Sequence, residues 1–167
     1  MDEMKKTAAV IVASDKGYAG QREDKSGPAA REILESAGYE VVDVSVLPDS
    51  RYMITGKLFE YCDREVNLII TSGGTGLSER DVTPEATRDV IEREVPGIAT
   101  AILVNSLKIT ERAMLTRLTA GVRGKTLIVN LPGSPKAVKE DLEFILPTIE
   151  HGIEILTGRA SECARED

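Results

Sequence analysis

The chain has 167 residues, of which 41% are hydrophobic and 29% are charged, and its formal net charge is −7. An acidic chain without a long run of Lys or Arg repels nucleic acid and anionic membrane surfaces, so we expect neither as a partner. The length fits a single domain over residues 1–167 with a substantial core, and no stretch of about eighteen apolar residues is present to span a membrane.

The content of cysteine, histidine and aromatic residues further limits the kinds of site that the chain can form. Cys62 and Cys163 are far apart and belong to no CxxC motif, which favours a reducing cytoplasm over a disulfide framework. His151 is the only histidine, so a Ser-His-Asp triad or a His-rich zinc site would depend on it. We expect it on the surface or at an interface. Aromatic residues make up 4% and Trp is absent, which argues against a stacking surface for single-stranded nucleic acid.

Apolar runs and helical periodicity alternate along the chain. Short runs rich in β-branched residues are typical of strands buried on both faces. In chain order, we predict a strand over 7–14, a helix over 26–37, a strand over 39–47, a helix over 51–64, a strand over 67–72, helices over 83–95 and 98–120 (two segments), a strand over 125–131 and a helix over 135–156. The alternation predicts a three-layer αβα domain with a mostly parallel central sheet.

Proline and glycine mark several predicted boundaries. Thr83 and Ser134 each precede a proline, as an N-cap precedes a proline in the first helical turn. Pro96 and Gly97 are predicted to end the helix that begins near Thr83. Other predicted interruptions are a turn bracketed by Gly121 and Gly124, a kink or break at Pro147, and a frayed polar tail over residues 158–167.

Each predicted strand ends in polar or glycine-rich residues. In an open parallel sheet, ligands bind outside the carboxyl ends of the strands. We therefore predict one site on one rim of the sheet, built from the loops that follow the four strands. The candidate residues in these loops are Ser14 and Asp15, Pro48 and Asp49, Ser72 to Gly76, and Leu131 to Ser134.

Residues 71–85, TSGGTGLSERDVTPE, contain the glycine-rich loop after the third strand. Glycines can take positive φ and approach a ligand closely, and successive N–H groups can converge on an anion. The stretch is not a Walker A motif, because Leu77 and Ser78 replace its Lys-Ser/Thr pair. It is not a dinucleotide fingerprint either, because Glu79 stands where the last glycine belongs, which argues against a nicotinamide-dependent oxidoreductase. Another kind of phosphate loop and a tight strand-to-helix turn both stay open.

Asp49 and Asp81 are the candidate catalytic carboxylates on this rim. Two carboxylates beside a phosphate loop suggest Mg²⁺, which prefers carboxylate and phosphate oxygens, and a phosphoryl transfer that the ion helps to position. Taken singly, Asp49 is explained as a turn residue after Pro48, and Asp81 as a favourable charge near a helix N-terminus. Their shared position beside the glycine-rich loop favours the functional interpretation.

Six motifs occur together in this chain. They are SDKGYAGQREDKSGP at 14–28, LPDS at 47–50, TSGGTGLSERDVTPEAT at 71–87, EREVPGI at 92–98, NSLKITERAMLTR at 105–117 and NLPGSPKAV at 130–138. The third resembles the signature TTGGTGxxxRDVTPEA of the molybdopterin adenylyltransferases of the MogA/MoaB family, whose relatives include the G domains of Cnx and gephyrin type proteins. The other five motifs are similar to those of the same family, in the same order and over nearly the whole chain.

The resemblance implies a three-layer α/β fold and adenylyl transfer in molybdenum cofactor biosynthesis. The terminal phosphate of molybdopterin would attack the α-phosphate of Mg-ATP, giving adenylyl-molybdopterin and pyrophosphate. Asp49 and Asp81 match the two essential aspartates of the family, which support Mg²⁺, directly or through water, and ATP. Arg80 fits the signature without an assigned role. The resemblance also implies nucleotide or pterin binding by Ser14, Asp15, Gly73, Gly74, Thr75, Gly76, Ser106, Pro132, Gly133 and Ser134, with Ser106 near the pterin.

Assembly and partners are also implied by the resemblance. Members of the family form trimers, and MoaB types form hexamers, so we expect a homo-oligomer, a trimer first, that hands its product to a molybdenum-insertion protein. The chain lacks the long insertion that some MogA members carry after the NLPG helix, and its compact length is typical of MoaB proteins, some of which do not adenylylate. Both aspartates and the NLPGSP motif favour an active enzyme, with a non-catalytic molybdopterin-binding or scaffold protein as the alternative.

Overall fold

The computed structural model describes residues 5–160, so Cys163 and residues 161–167 of the predicted tail lie outside the described part. The strands are β1 (Thr7–Ala13), β2 (Glu40–Leu47), β3 (Leu68–Ser72), β4 (Arg93–Glu94), β5 (Ala120–Arg123) and β6 (Thr126–Leu131). The helices are α1 (Asp15–Tyr18), α2 (Ser26–Ser36), α3 (Arg51–Asp63), α4 (Thr83–Val90), α5 (Pro96–Leu107) and α6 (Pro135–Leu156), and a short 3-10 helix (Glu111–Leu115) follows α5. Among the described helices, none is long and apolar enough to cross a membrane.

All six strands form one sheet in the order β2-β1-β3-β6-β5-β4. The first four in this order run parallel to one another, whereas β5 and β4 are antiparallel to their neighbours. Helices cover both faces, which confirms the predicted three-layer fold with a mostly parallel sheet. The four predicted strands are all present. β1, β3 and β6 are buried almost throughout, and such strands have a continuous apolar sequence that is visible locally, whereas β2 is half-buried at one edge of the sheet.

Alternate side chains of β1 divide the core between the two faces of the sheet. Val10 and Val12 belong to the cluster that contains buried residues of α2, α5 and α6. Ala9 and Ile11 belong to the cluster that contains buried residues of α3 and α4. Helix α2, which leads from β1 to β2, therefore lies on the opposite face from α4, which follows β3, and a crevice forms between the carboxyl ends of β1 and β3.

The prediction for the segment between Thr83 and Pro96 was wrong in two respects. Helix α4 ends at Val90 rather than near residue 95, because the backbone after Val90 becomes extended and pairs with β5. In this pairing, the N–H of Glu92 donates to the carbonyl of Val122 at 2.8 Å. Pro96 begins α5 instead of ending the previous helix. Proline suits the first helical position, where its missing N–H would have had no partner within the helix.

Two further interruptions differ from the sequence prediction. Gly121 lies inside β5 rather than at a turn, and a Cβ there would stand 2.7 Å from the backbone carbonyl oxygen of Arg93, so the close approach of β4 requires glycine. Gly124 does lie in the turn between β5 and β6, with φ of 54°. Helix α6 continues through Pro147 without a break. Pro147 is exposed, and so is Glu143, whose carbonyl loses its partner within the helix and can bond to water.

A buried amide ties the strand ends near the crevice together. Asn130 is completely buried on β6, and its Nδ2 donates to the hydroxyls of Thr71 on β3 and Thr87 on α4, each at 2.9 Å. Its Oδ1 accepts from the N–H of Thr119 at 3.1 Å. A buried polar side chain with all these bonds satisfied fixes its neighbours in one arrangement. Asn130 thereby positions the ends of β3 and β6, from which two of the rim loops start.

Candidate functional site

A cavity of about 820 Å³ opens at the carboxyl ends of β1 and β3. The chain leaves these neighbouring strands on opposite faces of the sheet, and such a switch point is where open α/β sheets bind ligands. All four predicted rim loops reach the cavity. Of the predicted site residues, its walls contain Ser14, Asp15, Asp49, Gly73, Gly74, Asp81, Gly133 and Ser134.

Gly73 and Gly74 have a backbone conformation that side chains disfavour. Their φ angles are 93° and 68°. A Cβ on Gly73 would lie 2.4 Å from the carbonyl oxygen of Ala13, and one on Gly74 would lie 2.4 Å from Oγ1 of Thr83. The loop therefore passes in tight contact between the end of β1 and the start of α4. Thr83 was predicted as the N-cap of α4, but Val82 has that position, and the buried Thr83 hydroxyl lies against the loop instead.

Asp15 and Asp49 bind each other's backbone across the ends of β1 and β2. The N–H of Asp15 donates to Oδ2 of Asp49 at 3.1 Å, and the N–H of Asp49 donates to Oδ1 of Asp15 at 2.9 Å. Burial raises the pKa of Asp49, and the negative charges of Asp15 and Asp81 raise it further, against the hydrogen bond from the Asp15 amide and the positive charge of Arg80. Asp49 is therefore a carboxylate that a nearby cation would stabilise.

Arg80 is the counterion of Asp15. Its Nε and Nη2 donate to the two carboxylate oxygens of Asp15 at 3.0 and 2.7 Å. This paired hydrogen bonding, together with the bond from the Asp49 amide, holds the pKa of Asp15 below its ordinary value. Within residues 5–160, no Lys or Arg forms an ion pair with Asp49 or Asp81. Of the three carboxylates at the strand ends and on the glycine-rich loop, Asp15 is thus neutralised, whereas Asp49 and Asp81 have no ion-pair partner.

The two unpaired carboxylates lie against the glycine-rich loop. A Cβ on Gly74 would stand 3.3 Å from Oδ1 of Asp49, and a Cβ on Gly76 would stand 2.9 Å from Oδ2 of Asp81. That Asp81 oxygen also accepts from the N–H of Ser78 at 3.0 Å. No group of three or more His, Cys, Asp or Glu side chains within residues 5–160 is arranged to hold a metal ion. Two carboxylates suit Mg²⁺, which takes its remaining ligands from phosphate and water.

Arg117 holds the glycine-rich loop from outside the cavity. It was predicted on a helical stretch, but it lies in the extended segment before β5, where its N–H donates to the carbonyl of Thr75 at 2.8 Å. Its Nε donates to the carbonyl of Gly76 at 2.8 Å, and its Nη2 donates to that of Asp81 at 2.7 Å. The guanidinium also pairs with Glu85 and so lowers the pKa of that carboxyl. In the sequence, the only signal for this contact with the loop was the family motif over residues 105–117, which ends at Arg117.

The loop after β6 closes the far side of the cavity. Ser134 is the predicted N-cap of α6, and its Oγ accepts from the N–H of Ala137 at 3.1 Å. The carbonyl of Gly133 accepts from Oγ of Ser26 at 2.8 Å, which fastens this loop to the start of α2. The first N–H groups of a long helix favour anions. The start of α6 therefore offers an anion-binding edge beside the glycine-rich loop.

Four predicted site residues do not line the cavity. Thr75 and Gly76 lie in the glycine-rich loop, and the carbonyl of Pro132 accepts from Oγ of Ser72 at 2.9 Å. Ser106 lies on α5, and its hydroxyl donates to Oδ1 of Asp141 on α6 at 3.0 Å. Burial raises the pKa of Asp141. The contact between Ser106 and a pterin stays a prediction.

Comparisons with known proteins agree with this architecture. The sequence profile of a family described as "Probable molybdopterin binding domain" matches residues 9–151. The molybdopterin adenylyltransferase of Helicobacter pylori strain J99 is 38% identical over 152 residues, which cover 89% of this chain and 86% of the relative. That of Escherichia coli strain K12 is also 38% identical over 152 residues, with coverages of 86% and 77%. The crystal structure of the molybdopterin biosynthesis enzyme MoaB of Thermus thermophilus matches with a TM-score of 0.86 and 46% identity, over 93% of this chain and 98% of that one.

The fold and the cavity together define an α/β protein with a cavity at the switch point of a mostly parallel sheet. The family profile matches residues 9–151, and the relative from Helicobacter pylori is 38% identical over 89% of this chain. The chain belongs to the MogA/MoaB family of molybdopterin-binding domains, as the six motifs predicted.

Proposed function

We propose that the protein catalyses adenylyl transfer from Mg-ATP to molybdopterin, a step of molybdenum cofactor biosynthesis. The names of the relatives from Helicobacter pylori and Escherichia coli support this activity. The observation that carries the proposal is the position of Asp49 and Asp81, two carboxylates without a cationic partner, against the glycine-rich loop. An ordinary strand-to-helix turn does not require two such carboxylates, whereas binding a metal-bound nucleotide does.

In the proposed reaction, an oxygen of the terminal phosphate of molybdopterin forms a bond to the α-phosphorus of ATP. The bond from that phosphorus to the oxygen bridging to the β-phosphate breaks, and pyrophosphate leaves with the electron pair. Phosphoryl-type transfers need positioning and charge stabilisation rather than covalent help from the protein. Here the chain would hold both phosphates between the glycine-rich loop and the start of α6.

Each group of the cavity has a proposed task. The N–H of Gly73 already donates to the carbonyl of Leu131 at 3.1 Å, so loop donors for a phosphate begin at Gly74. Asp49 and Asp81 would hold Mg²⁺, which when bound supplies screening of phosphate charge and a fixed orientation of the nucleotide. Arg80 keeps Asp15 neutralised, which leaves the Asp15 side chain free to orient the backbone of Asp49.

The direct test is to incubate the protein with molybdopterin, ATP and Mg²⁺. We expect adenylyl-molybdopterin, detected by mass spectrometry, and pyrophosphate in equal amount, with both lost when the metal is chelated. A protein that binds molybdopterin but neither binds Mg-ATP nor forms product would instead be the non-catalytic binding or scaffold protein. Calorimetry with ATP separates these two cases before any turnover is measured.

We also propose that the protein assembles as a homo-oligomer, a trimer first, through an apolar surface on α5 and the 3-10 helix. A helix that is apolar on all sides is normally buried, yet Ile102 is the only residue of α5 that is fully buried. Contiguous apolar exposure of this kind marks an interaction surface. The exposed side chains are Val104, Leu107, Ile109, Met114 and Leu115.

The assembly can be tested by light scattering coupled to gel filtration. We expect a mass that is a multiple of the 18.1 kDa chain, and we expect the double substitution Met114→Glu with Leu115→Glu to shift it to the monomer, because buried carboxylates repel across an apolar interface. Phe144→Glu is the matched control, since Phe144 is 45% exposed on α6 rather than on α5 or the 3-10 helix. A wild-type protein that elutes as a monomer at high concentration would refute the proposal.

We further propose that the product passes to a molybdenum-insertion protein in the cytoplasm. The widely separated cysteines favour a reducing compartment. The phosphoric anhydride of adenylyl-molybdopterin is open to attack by water, so direct transfer to the next protein would protect it. Co-purification of the two proteins in the presence of product is the measurement that checks this step.

A further inference from the structure

The loop between α1 and α2, residues 19–25, forms one wall of the cavity together with the end of α1. Three cationic side chains, those of Lys16, Arg22 and Lys25, line it here. None of them forms an ion pair with a carboxylate of the described residues. Nothing in their sequence pattern separates them from ordinary solvated charges in a polar loop.

Two acids, Glu23 and Asp24, share this wall, and neither forms an ion pair with the three cations. Oδ1 of Asp24 accepts from the N–H groups of Ser26 and Gly27 at 3.0 and 3.1 Å, so this carboxylate is engaged at the start of α2. A Cβ on Gly27 would lie 2.4 Å from Oδ2 of Asp24, which shows how tightly the turn closes. The hydrogen bond from Ser26 to the carbonyl of Gly133 then fixes the end of the loop. Lys25 is thereby anchored directly beside the cavity.

Charge differs between two sides of the cavity. Asp49 and Asp81 lie against the glycine-rich loop, whereas Arg22 and Lys25 lie on the loop that precedes α2, and Lys16 lies on α1. A ligand that suits both sides carries a metal ion at one end and bare anionic oxygens at the other. A metal-bound nucleoside triphosphate has this distribution, because its terminal phosphates together carry more negative charge than one divalent ion neutralises.

We propose that Arg22 and Lys25, assisted by Lys16, bind the β- and γ-phosphates of the nucleotide and stabilise the departing pyrophosphate. This inference rests on the proposed adenylyl transfer and assigns its leaving-group site. The guanidinium of Arg22 can bond two phosphate oxygens at once, and the ammonium of Lys25 acts as a point charge. Negative charge builds up on the leaving group as the bond to the α-phosphorus breaks, so these cations act more strongly in the transition state than in the bound substrate.

Binding measurements with three ligands test the assignment. Arg22→Gln, Lys25→Gln and the double variant are titrated with ATP, AMP and inorganic pyrophosphate in the presence of Mg²⁺. We expect the affinities for ATP and pyrophosphate to fall about tenfold or more per substitution, since a hydrogen bond to a charged group contributes about 1.5–3 kcal/mol. The affinity for AMP is expected to stay unchanged. Arg31→Gln is the matched control, because Arg31 lies on the exposed side of α2 and pairs with Glu35 at 2.9 Å.

The possible results separate this assignment from the proposed function. Equal losses for ATP and AMP, or no loss for either, would overturn the assignment even if the wild-type protein forms adenylyl-molybdopterin. A loss confined to molybdopterin binding would overturn it as well, because the cations would then serve the pterin phosphate. If the wild-type protein forms no product, adenylyl transfer fails, whereas the pyrophosphate titration of wild type against variants still decides whether these cations form a diphosphate site.

Discussion

Asp49→Asn and Asp81→Asn are each expected to lower the rate of adenylyl transfer by at least about a hundredfold while leaving the fold unchanged. Each substitution removes one of the two carboxylates that lie against the glycine-rich loop without an ion-pair partner. Charge stabilisation at a transferring phosphoryl group contributes several kcal/mol, and each 1.4 kcal/mol or so corresponds to about tenfold in rate. Initial rates of product formation at saturating ATP and molybdopterin are the measurement.

Asparagine keeps the hydrogen bonds that the two aspartates accept. The side-chain carbonyl that Asp49→Asn introduces can still accept from the N–H of Asp15, and the one that Asp81→Asn introduces can accept from the N–H of Ser78. The pKa of Asp49 is raised in the folded protein, so the stability that this shift contributes is lost once the pH rises through the folded pKa. At neutral pH the neutral asparagine is therefore not expected to lower the free energy of unfolding.

Three controls make this result interpretable. Asp63→Asn changes an exposed carboxylate at the end of α3 outside the cavity, and we expect wild-type rates from it. Thermal unfolding of all variants checks the fold. Titration with Mn²⁺ in the presence of ATP reads out metal binding without turnover, and it should weaken in both cavity variants. Full activity of either cavity variant would remove the two carboxylates from the proposed mechanism.

The four parallel strands could be predicted because each contains a run of apolar residues that is visible in the sequence. β1 was predicted over residues 7–14 and runs over Thr7–Ala13, since the whole apolar run is buried between two layers of helices. The short antiparallel strands β4 and β5 leave no such trace. The two residues of β4 are both exposed, and they form a strand because they pair with β5. The predicted helix over 83–95 was therefore too long, because helical propensity alone takes no account of this pairing.

The site divides in the same way between local and tertiary information. The carboxyl ends of parallel strands meet at one edge of the sheet, so Asp15, Asp49 and Gly74 could be placed on one rim from the strand order alone. The pairing of Arg80 with Asp15 joins residues 65 positions apart. It depends on how the glycine-rich loop folds back over the end of β1, which no periodicity records. The cationic wall at Arg22 escaped prediction because unpaired charges in a polar loop resemble any solvated surface.

Arg117 supplies the second large effect that we expect. Arg117→Met keeps most of the side-chain volume but removes the donors to the carbonyls of Gly76 and Asp81. A partly buried acceptor left without a partner costs about 1–3 kcal/mol, and the loop can recover that cost only by moving toward water. We expect affinity for Mg-ATP to fall about tenfold or more, since Asp81 would move with the loop.

Glu85→Gln distinguishes the loop contacts from the ion pair. Glu85 pairs with the Arg117 guanidinium from α4, but it makes none of the loop contacts itself. If nucleotide affinity depends on the loop contacts, Glu85→Gln should retain most of that affinity. Amide hydrogen exchange over residues 74–81 should then accelerate in Arg117→Met but not in Glu85→Gln. Equal losses in the two variants would mean that the ion pair, rather than the clamp on the loop, carries the effect. Arg117→Lys should fall between wild type and Arg117→Met, because a single ammonium cannot reach both carbonyls in the fork geometry of a guanidinium.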